Sequence, residues 1–320
     1  MVGVRVVNDI LFGGFQALLA IAAAPLLLGW VDQCRAWLQN RRGAGVLQPY
    51  RVLRKLMRKD AVIAHGASPL FRAAPYVQFG AMCLAAAIIP VVSITAPLAA
   101  AADTIALVGL FALARVFIAL AAMDIGTAFG SLGARREMLI GFLSEPALLM
   151  VFFTASLICQ STLLPTIVGT LAHRELVIYP SLAFAGVAFT MVLLAENARI
   201  PIDNPATHLE LTMIHEAMVL EYSARHLALI EWASALKLMN FTAIGLALFV
   251  PWGLTAAAAG PQGLAVGIVT TSLKLASAGV ALALIETVSA KLRIFRAPEF
   301  LATAFLLAVL GLLVHQLLGS

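Results

Sequence analysis

AENARIPIDNPATHLELTMIHEAMVLEYSARH, residues 195–226, sets five carboxylates (Glu196, Asp203, Glu210, Glu216 and Glu221) and two arginines (Arg199 and Arg225) between runs that read as lipid-soluble helices. A connection that only turned the chain around could be built from Ser, Asn and Gly. Charge concentrated where a hydrophobic span has just ended therefore points to function.

The rest of the chain makes that contrast sharp. Its 320 residues are 62% hydrophobic and 12% charged, with a mean hydropathy of +0.98, against about 45–50% apolar and 25% charged in soluble domains. This is the composition of an all-α integral membrane protein. Apolar runs recur along the whole length with no polar block long enough to fold separately, so residues 1–320 read as a single transmembrane domain. The first run shows no cleavable-looking Ala-x-Ala site after a basic start and is about 20 residues long, so it reads as a retained span. The net charge of +5 comes from basic residues in short connections, which reflects membrane topology and not nucleic-acid binding. Cys34, Cys83 and Cys159 form no C-x-x-C pair, so the chain is expected to bind no cofactor or metal of its own and any electron carrier belongs to a partner.

Apolar stretches able to cross the hydrocarbon core, at about 20 residues each, fall near 10–30, 76–97, 104–123, 138–158, 180–195, 227–252, 264–285 and 300–318, giving about eight spans. Pro90, Pro146 and Pro251 are expected to kink their helices. Nine basic residues follow the first span, and seven more (Arg135, Arg136, Arg199, Arg225, Lys291, Arg293 and Arg296) follow the third, fifth and seventh. Only Arg5 and Arg174 fall on the opposite side, so the odd-numbered connections are expected in the cytoplasm and both termini outside. After the first span, VLQPYRVLRKLMRKD (46–60) interleaves Leu47, Leu53, Leu56 and Met57 with Arg51, Arg54, Lys55 and Arg58. That pattern predicts an amphipathic helix lying on the cytoplasmic interface, against lipid or a soluble partner.

Arg115, Glu145, Glu231, Lys237 and Lys274 fall inside predicted spans, where each mid-helix charge costs about 2.5–3.5 kcal/mol. Two readings account for them. Static pairs, Arg115 with Glu145 or Glu231 with a lysine, would fix helix packing. A proton path would use buried Lys and Glu, whose proton affinities shift toward each other on burial. In the connection after the fifth span, Pro205 can start a helix running to about Tyr222. His208 and His215 lack a third ligand at metal-site spacing, which leaves them relay or surface roles. No nucleophile triad, phosphate loop or Walker pattern appears, so the chain itself is not expected to make or break covalent bonds.

Several of these pieces together resemble the subunit 1 family of respiratory complex I, and within it the branch serving membrane-bound group 4 nickel–iron hydrogenases of the formate hydrogenlyase and hydrogenase-4 type. They are Asn40-Arg41-Arg42-Gly43-Ala44-Gly45-Val46-Leu47-Gln48, Glu137, Glu145-Pro146, Glu196-Asn197-Ala198-Arg199-Ile200-Pro201-Ile202-Asp203, Glu221-Tyr222-Ser223, Glu286 and Ala290-Lys291-Leu292-Arg293, in order along nearly the whole chain. The resemblance implies an eight-helix membrane anchor beneath an electron-transfer arm, whose acidic loop begins a line of charges coupling redox chemistry to proton or sodium movement. It makes Glu145, Glu196, Arg199, Asp203, Glu210 and Glu221 candidates for that path, beside Glu216 of the same loop and the intramembrane Arg115, Lys237 and Lys274. Arg41 and Arg42, with Arg54 and Arg58 of the amphipathic helix, would dock the soluble subunits. The implied partners are hydrogenase-like large and small subunits, an iron–sulfur subunit and antiporter-like membrane subunits, in a prokaryotic plasma membrane. Those partners would carry the iron–sulfur clusters and a nickel–iron centre.

Two departures from the pattern stand out. Ala206 and His208 occupy positions where the family usually carries carboxylates, and the stretch from Glu210 to Glu221 is about three residues longer. Ala122-Met123-Asp124-Ile125-Gly126 resembles the hydrogenase branch more than the quinone-reducing one. Three other readings stay open on sequence grounds: a quinone-site subunit of a complex I-like dehydrogenase, a hydrogenase-related complex without nickel, and a free-standing secondary transporter. The last would favour two related halves, and no internal repeat is evident.

Overall fold

A computed structural model of the chain describes residues 2–64, 66–93, 102–173, 180–203, 214–254, 260–290 and 296–318. Among them there is no strand, only an isolated bridge between Asp103 and Leu163. The helices are α1 (Val2–Leu38), α2 (Gln48–Met57), α3 (Pro69–Ile88), α4 (Thr104–Asp124), α5 (Ala128–Cys159), α6 (Leu164–His173), α7 (Pro180–Glu196), α8 (His215–Val219), α9 (Ala224–Phe249), α10 (Gly260–Val288) and α11 (Ala297–Leu318). Seven of these are long and apolar enough to cross a membrane. The fifth expected span corresponds to α7, which has 17 residues.

Local signals explain where the helices start and stop. The Ser68 side chain accepts the Leu70 N–H at 3.1 Å, with Pro69 in the first helical position, a standard helix start. Thr127 caps α5 through the Gly130 N–H, and Gln160 closes it in the left-handed region at φ 53°. The helix thereby begins ten residues ahead of the expected span at 138, because Arg135, Arg136 and Glu137 mask its first turns in a hydropathy reading. Pro90 and Pro251 do not kink helices as expected. The residue before a proline is pushed out of the α region. Ile89 is extended at ψ 127° and Val250 sits at φ −135°, so α3 and α9 end there. Pro146 does lie inside α5.

The helix expected from Pro205 to Tyr222 is, among the described residues, only His215–Val219; residues 204–213, with His208 and Glu210, lie outside them. The chain beyond α8 is held by its own side chains. The Tyr222 ring stacks on Phe71 at 4.0 Å and its hydroxyl donates to the Phe71 carbonyl. Burial and the nearby Asp124 carboxylate push that hydroxyl above the ordinary tyrosine value, so it stays a donor. Ser223 both accepts from and donates to the Val62 backbone.

In the bundle, α4 packs between α3 and α5, α11 lies against α5 and α7, and α1 contacts α9 and α10. The amphipathic α2 turns Leu53 inward and leaves Arg51, Arg54, Lys55 and Arg58 exposed. Across the core, Phe111 of α4 stacks on Phe241 of α9 at 4.7 Å, and Phe189 of α7 joins Phe241 and Phe249. Phe111 and Phe241 stand one helical turn beyond Arg115 and Lys237 in this apolar layer.

Candidate functional site: a buried charge cluster beside a polar cavity

Arg115 is the centre of the site. Its side chain, 2% exposed, meets three carboxylates: Glu145 at 2.5 Å, Glu196, and Glu137 at 3.6 Å. Glu196, equally buried at the end of α7, also holds the Lys237 ammonium of α9 at 2.8 Å and the Ser144 hydroxyl. Glu137, Gly141, Ser144 and Glu145 share one face of α5 because they recur at helical spacing. The glycine makes room for the guanidinium: a Cβ at Gly141 would overlap Arg115 Nη1 and stand 2.8 Å from its Cδ and Cζ. Three carboxylates face two cations here. One negative charge is therefore in excess, and binding one proton neutralises the cluster.

A second group stands nearby. The fully buried Glu286 carboxylate of α10 accepts from Arg199 at 3.1 Å and from Arg35 of α1 at 3.3 Å, and Arg35 also pairs with Asp32 at 3.0 Å. Two acids balance two bases, so this group is neutral. It ties α1, α10 and the turn after α7 to one another.

A cavity of about 240 Å³ lies between the groups. Its wall carries six carboxylates (Asp32, Glu137, Glu196, Asp203, Glu216 and Glu231) against Arg35, Arg115, Arg199 and Lys237. Such an acidic, partly enclosed wall concentrates cations and protons. Phe111, a member of the aromatic layer, and Met82 line part of the cavity wall. Among the members of the Arg115 cluster, Glu145 alone faces outward: its side chain is 33% exposed, against 2% for Glu196 and 11% for Glu137.

The comparisons with known proteins agree with this architecture. The family model described as NADH dehydrogenase matches residues 12–316. This chain belongs to the complex I subunit 1 family. It is 34% identical over 304 residues to formate hydrogenlyase subunit 4 of Escherichia coli K12, covering 95% of this chain and 97% of that protein. Hydrogenase-4 component C of the same organism is 34% identical over 247 residues, 76% of each chain. Among solved structures, a chain of the membrane-bound sulfane sulfur reductase, an archaeal respiratory membrane complex, superposes with a TM-score of 0.80 at 20% identity, covering 94% of this chain and 98% of that one. That last likeness shows the shared fold.

Within the family frame, the residues singled out by sequence fall into distinct places. Arg115, Glu145, Glu196 and Lys237 form one cluster, and Arg199, Asp203 and Glu216 line the same cavity. The Asp203 carboxylate accepts the Ile214 and His215 N–H groups at 3.2 and 3.5 Å, setting the start of α8. The expected pairing of Arg115 with Glu145 is present. Of the lysines considered for Glu231, Lys237 binds Glu196, because that face of α9 looks toward α7. Glu221 is exposed on the surface. Lys274 stands apart: its ammonium donates to the Val250 and Trp252 carbonyls, about 20 Å beyond Lys237 along α9 at 1.5 Å per residue. Arg41, Arg42, Arg54 and Arg58 are all exposed.

Sequence reasoning assigned no path role to Asp32, Arg35, Ser144 or Glu286, and named Glu137 only as part of the family pattern. A usable signal existed. Asp32 and Arg35 stand three apart at the end of the first apolar run, and Glu286 at the end of the seventh, all at the end of the bundle where Arg199 follows the fifth.

Proposed function

We propose that this chain is the membrane-anchor and ion-coupling subunit of a group 4 hydrogenase-type redox complex, passing protons from the Arg199 end of the bundle to a neighbouring membrane subunit. The carrying observation is the Arg115 cluster, with its single excess negative charge, beside an acidic cavity whose wall includes the apolar Phe111 and Met82. A proton attracted into the cavity is held by the cluster with no net charge left over. Because the way straight across is apolar, it leaves sideways at Glu145, toward an antiporter-like membrane partner. The basic end faces the cytoplasm, and both termini face outward, as the distribution of Lys and Arg favours. Hydrogenase-like large and small subunits and an iron–sulfur subunit dock there and carry the clusters and the nickel–iron centre. Arg199 and Arg35, sharing the Glu286 carboxylate, are the contacts through which motion of the docked arm would reach the cluster.

Affinity purification of the chain from its native membrane with its partners, followed by assays of hydrogen evolution from reduced viologen and of quinone reduction, tests this reading. Nickel-dependent hydrogen evolution is the expected result. Quinone reduction by a nickel-free complex would move the chain to the quinone-site reading, and the appearance of neither activity with copurifying soluble partners would indicate altered chemistry in the partner.

Docking has its own test. Reversing Arg41 and Arg42 to Glu is expected to release the soluble subunits from washed membranes while this chain stays embedded, as immunoblots of the two fractions would show. Soluble subunits retained at normal levels would place their anchor elsewhere.

A further inference from the structure

Between α1 and α10, away from the charged cavity, the helix seam opens into a second space of about 250 Å³. Its wall is apolar, built from Leu19, Leu26 and Leu27 of α1, Ile268 and Leu275 of α10, and Met239 of α9. Two hydroxyls reach it, Thr271 and Ser272, and Thr271 already donates to the Val91 carbonyl at 3.0 Å. Leu26 is 42% exposed and Ser272 is exposed, so the space opens sideways between two membrane-spanning helices. Trp30 borders it and is firmly seated. Its indole N–H donates to the Ala276 carbonyl at 3.0 Å, and a Cβ at Gly279 would come within 2.7 Å of its ring.

At its basic end the lining includes Val46, which belongs to the connection carrying the exposed Arg41 and Arg42. Trp37, 58% exposed, stands edge-on to Trp30 at 5.8 Å. Exposed tryptophans mark the headgroup level of a bilayer, and basic residues at that level between spanning helices attract anionic headgroups. A hydrophobic slot therefore descends from a cationic, tryptophan-marked rim.

We propose that this seam holds one acyl chain of an anionic phospholipid, with its headgroup at Arg41 and Arg42. An isoprenoid quinone is a poorer match, since its ring needs hydrogen-bond donors and Ser272 is the one uncommitted hydroxyl in the wall. The bound chain braces α1 against α10, of whose span only 22% is buried. These two helices bear Arg35 and Glu286, so the lipid keeps the two sides of that ion pair in register. The proposal goes beyond the ion-coupling reading; because that reading also uses Arg41 and Arg42 for docking, Ser272→Phe, which leaves both arginines in place, separates the failure of one from the failure of the other.

The test uses the intact purified complex in phosphatidylcholine vesicles doped with phosphatidylglycerol carrying a photoreactive diazirine in its acyl chain. Crosslinks are mapped by mass spectrometry on this chain, whether or not the soluble subunits stay attached. Adducts at Leu26, Leu27 or Leu275, competed by unlabelled phosphatidylglycerol and not by phosphatidylcholine, are expected. Arg41→Gln with Arg42→Gln lowers them roughly thirtyfold, as the loss of two headgroup charges implies, and Ser272→Phe removes them. Adducts confined to the outward-facing Val266, Val269 and Leu273 would mean ordinary annular lipid and overturn the proposal. So would equal competition by phosphatidylcholine, or recovery of quinone in place of phospholipid.

Discussion

Glu145→Gln leaves the complex assembled and stops ion translocation. Glutamine can still accept a hydrogen bond from Arg115, so the packing of α4 on α5 is kept. The charge balance is not. Glu137 and Glu196 then face Arg115 and Lys237, two against two, and the cluster has no excess negative charge with which to draw in a proton. Loss of a positioned proton-transfer group typically lowers a rate by about 10²–10⁴-fold, and a fall of at least the lower figure is expected. Proteoliposomes with an internal pH dye measure translocation, and blue-native gels measure assembly. Normal acidification by the variant would remove Glu145 from the path, whereas a missing complex would make its role structural.

Arg115→Met has the opposite character. It leaves three carboxylates, Glu137 and Glu196 buried and Glu145 half-buried, against Lys237 alone, a net charge of −2 inside the bundle. Removing one partner from a buried ion pair costs about 3–5 kcal/mol, a large part of the stability of any domain. The variant is expected to fail to accumulate in the membrane, or to unfold at markedly lower temperature once solubilised. Gly141→Ala provides a finer probe of the same seat, adding a single methyl where the guanidinium now lies. It should lower both stability and translocation without altering any charge. Wild-type thermal stability in both variants would show that the guanidinium can relocate, and would contradict the view that α5 is shaped around it.

How much of this was legible before the fold was known can be judged from individual residues. Arg115 and Glu145 stood out because each interrupts an apolar run, and charge in such a run demands a partner. Glu196 and Arg199 stood out by belonging to a dense acidic connection. Arg35 did not, and Glu286 was visible only as part of the family pattern, because a charge at the end of a span is ordinarily explained by the membrane surface. Only the packing of α1 on α10 brings them within 3.3 Å. The direction of Lys237 was equally hidden: Glu231, six residues away, lies on a different face of α9, and the placement of α7 supplies Glu196 as the partner. Lys274 shows that an intramembrane ammonium can be satisfied by the carbonyls at a helix end as well as by an acid. Pro90 and Pro251 were readable as interruptions, but whether a proline bends a helix or ends it is decided by the packing of the chain on either side.

The stacked Phe111 and Phe241, with Phe189 beside them, have one further meaning for a molecule of this kind. A continuous wet file from one face of the membrane to the other would short-circuit any gradient that the assembly built. In the proposed ion-coupling role, those rings, placed next to the charged cluster, would act as an insulator, so that the subunit could be loaded from one compartment without becoming a leak.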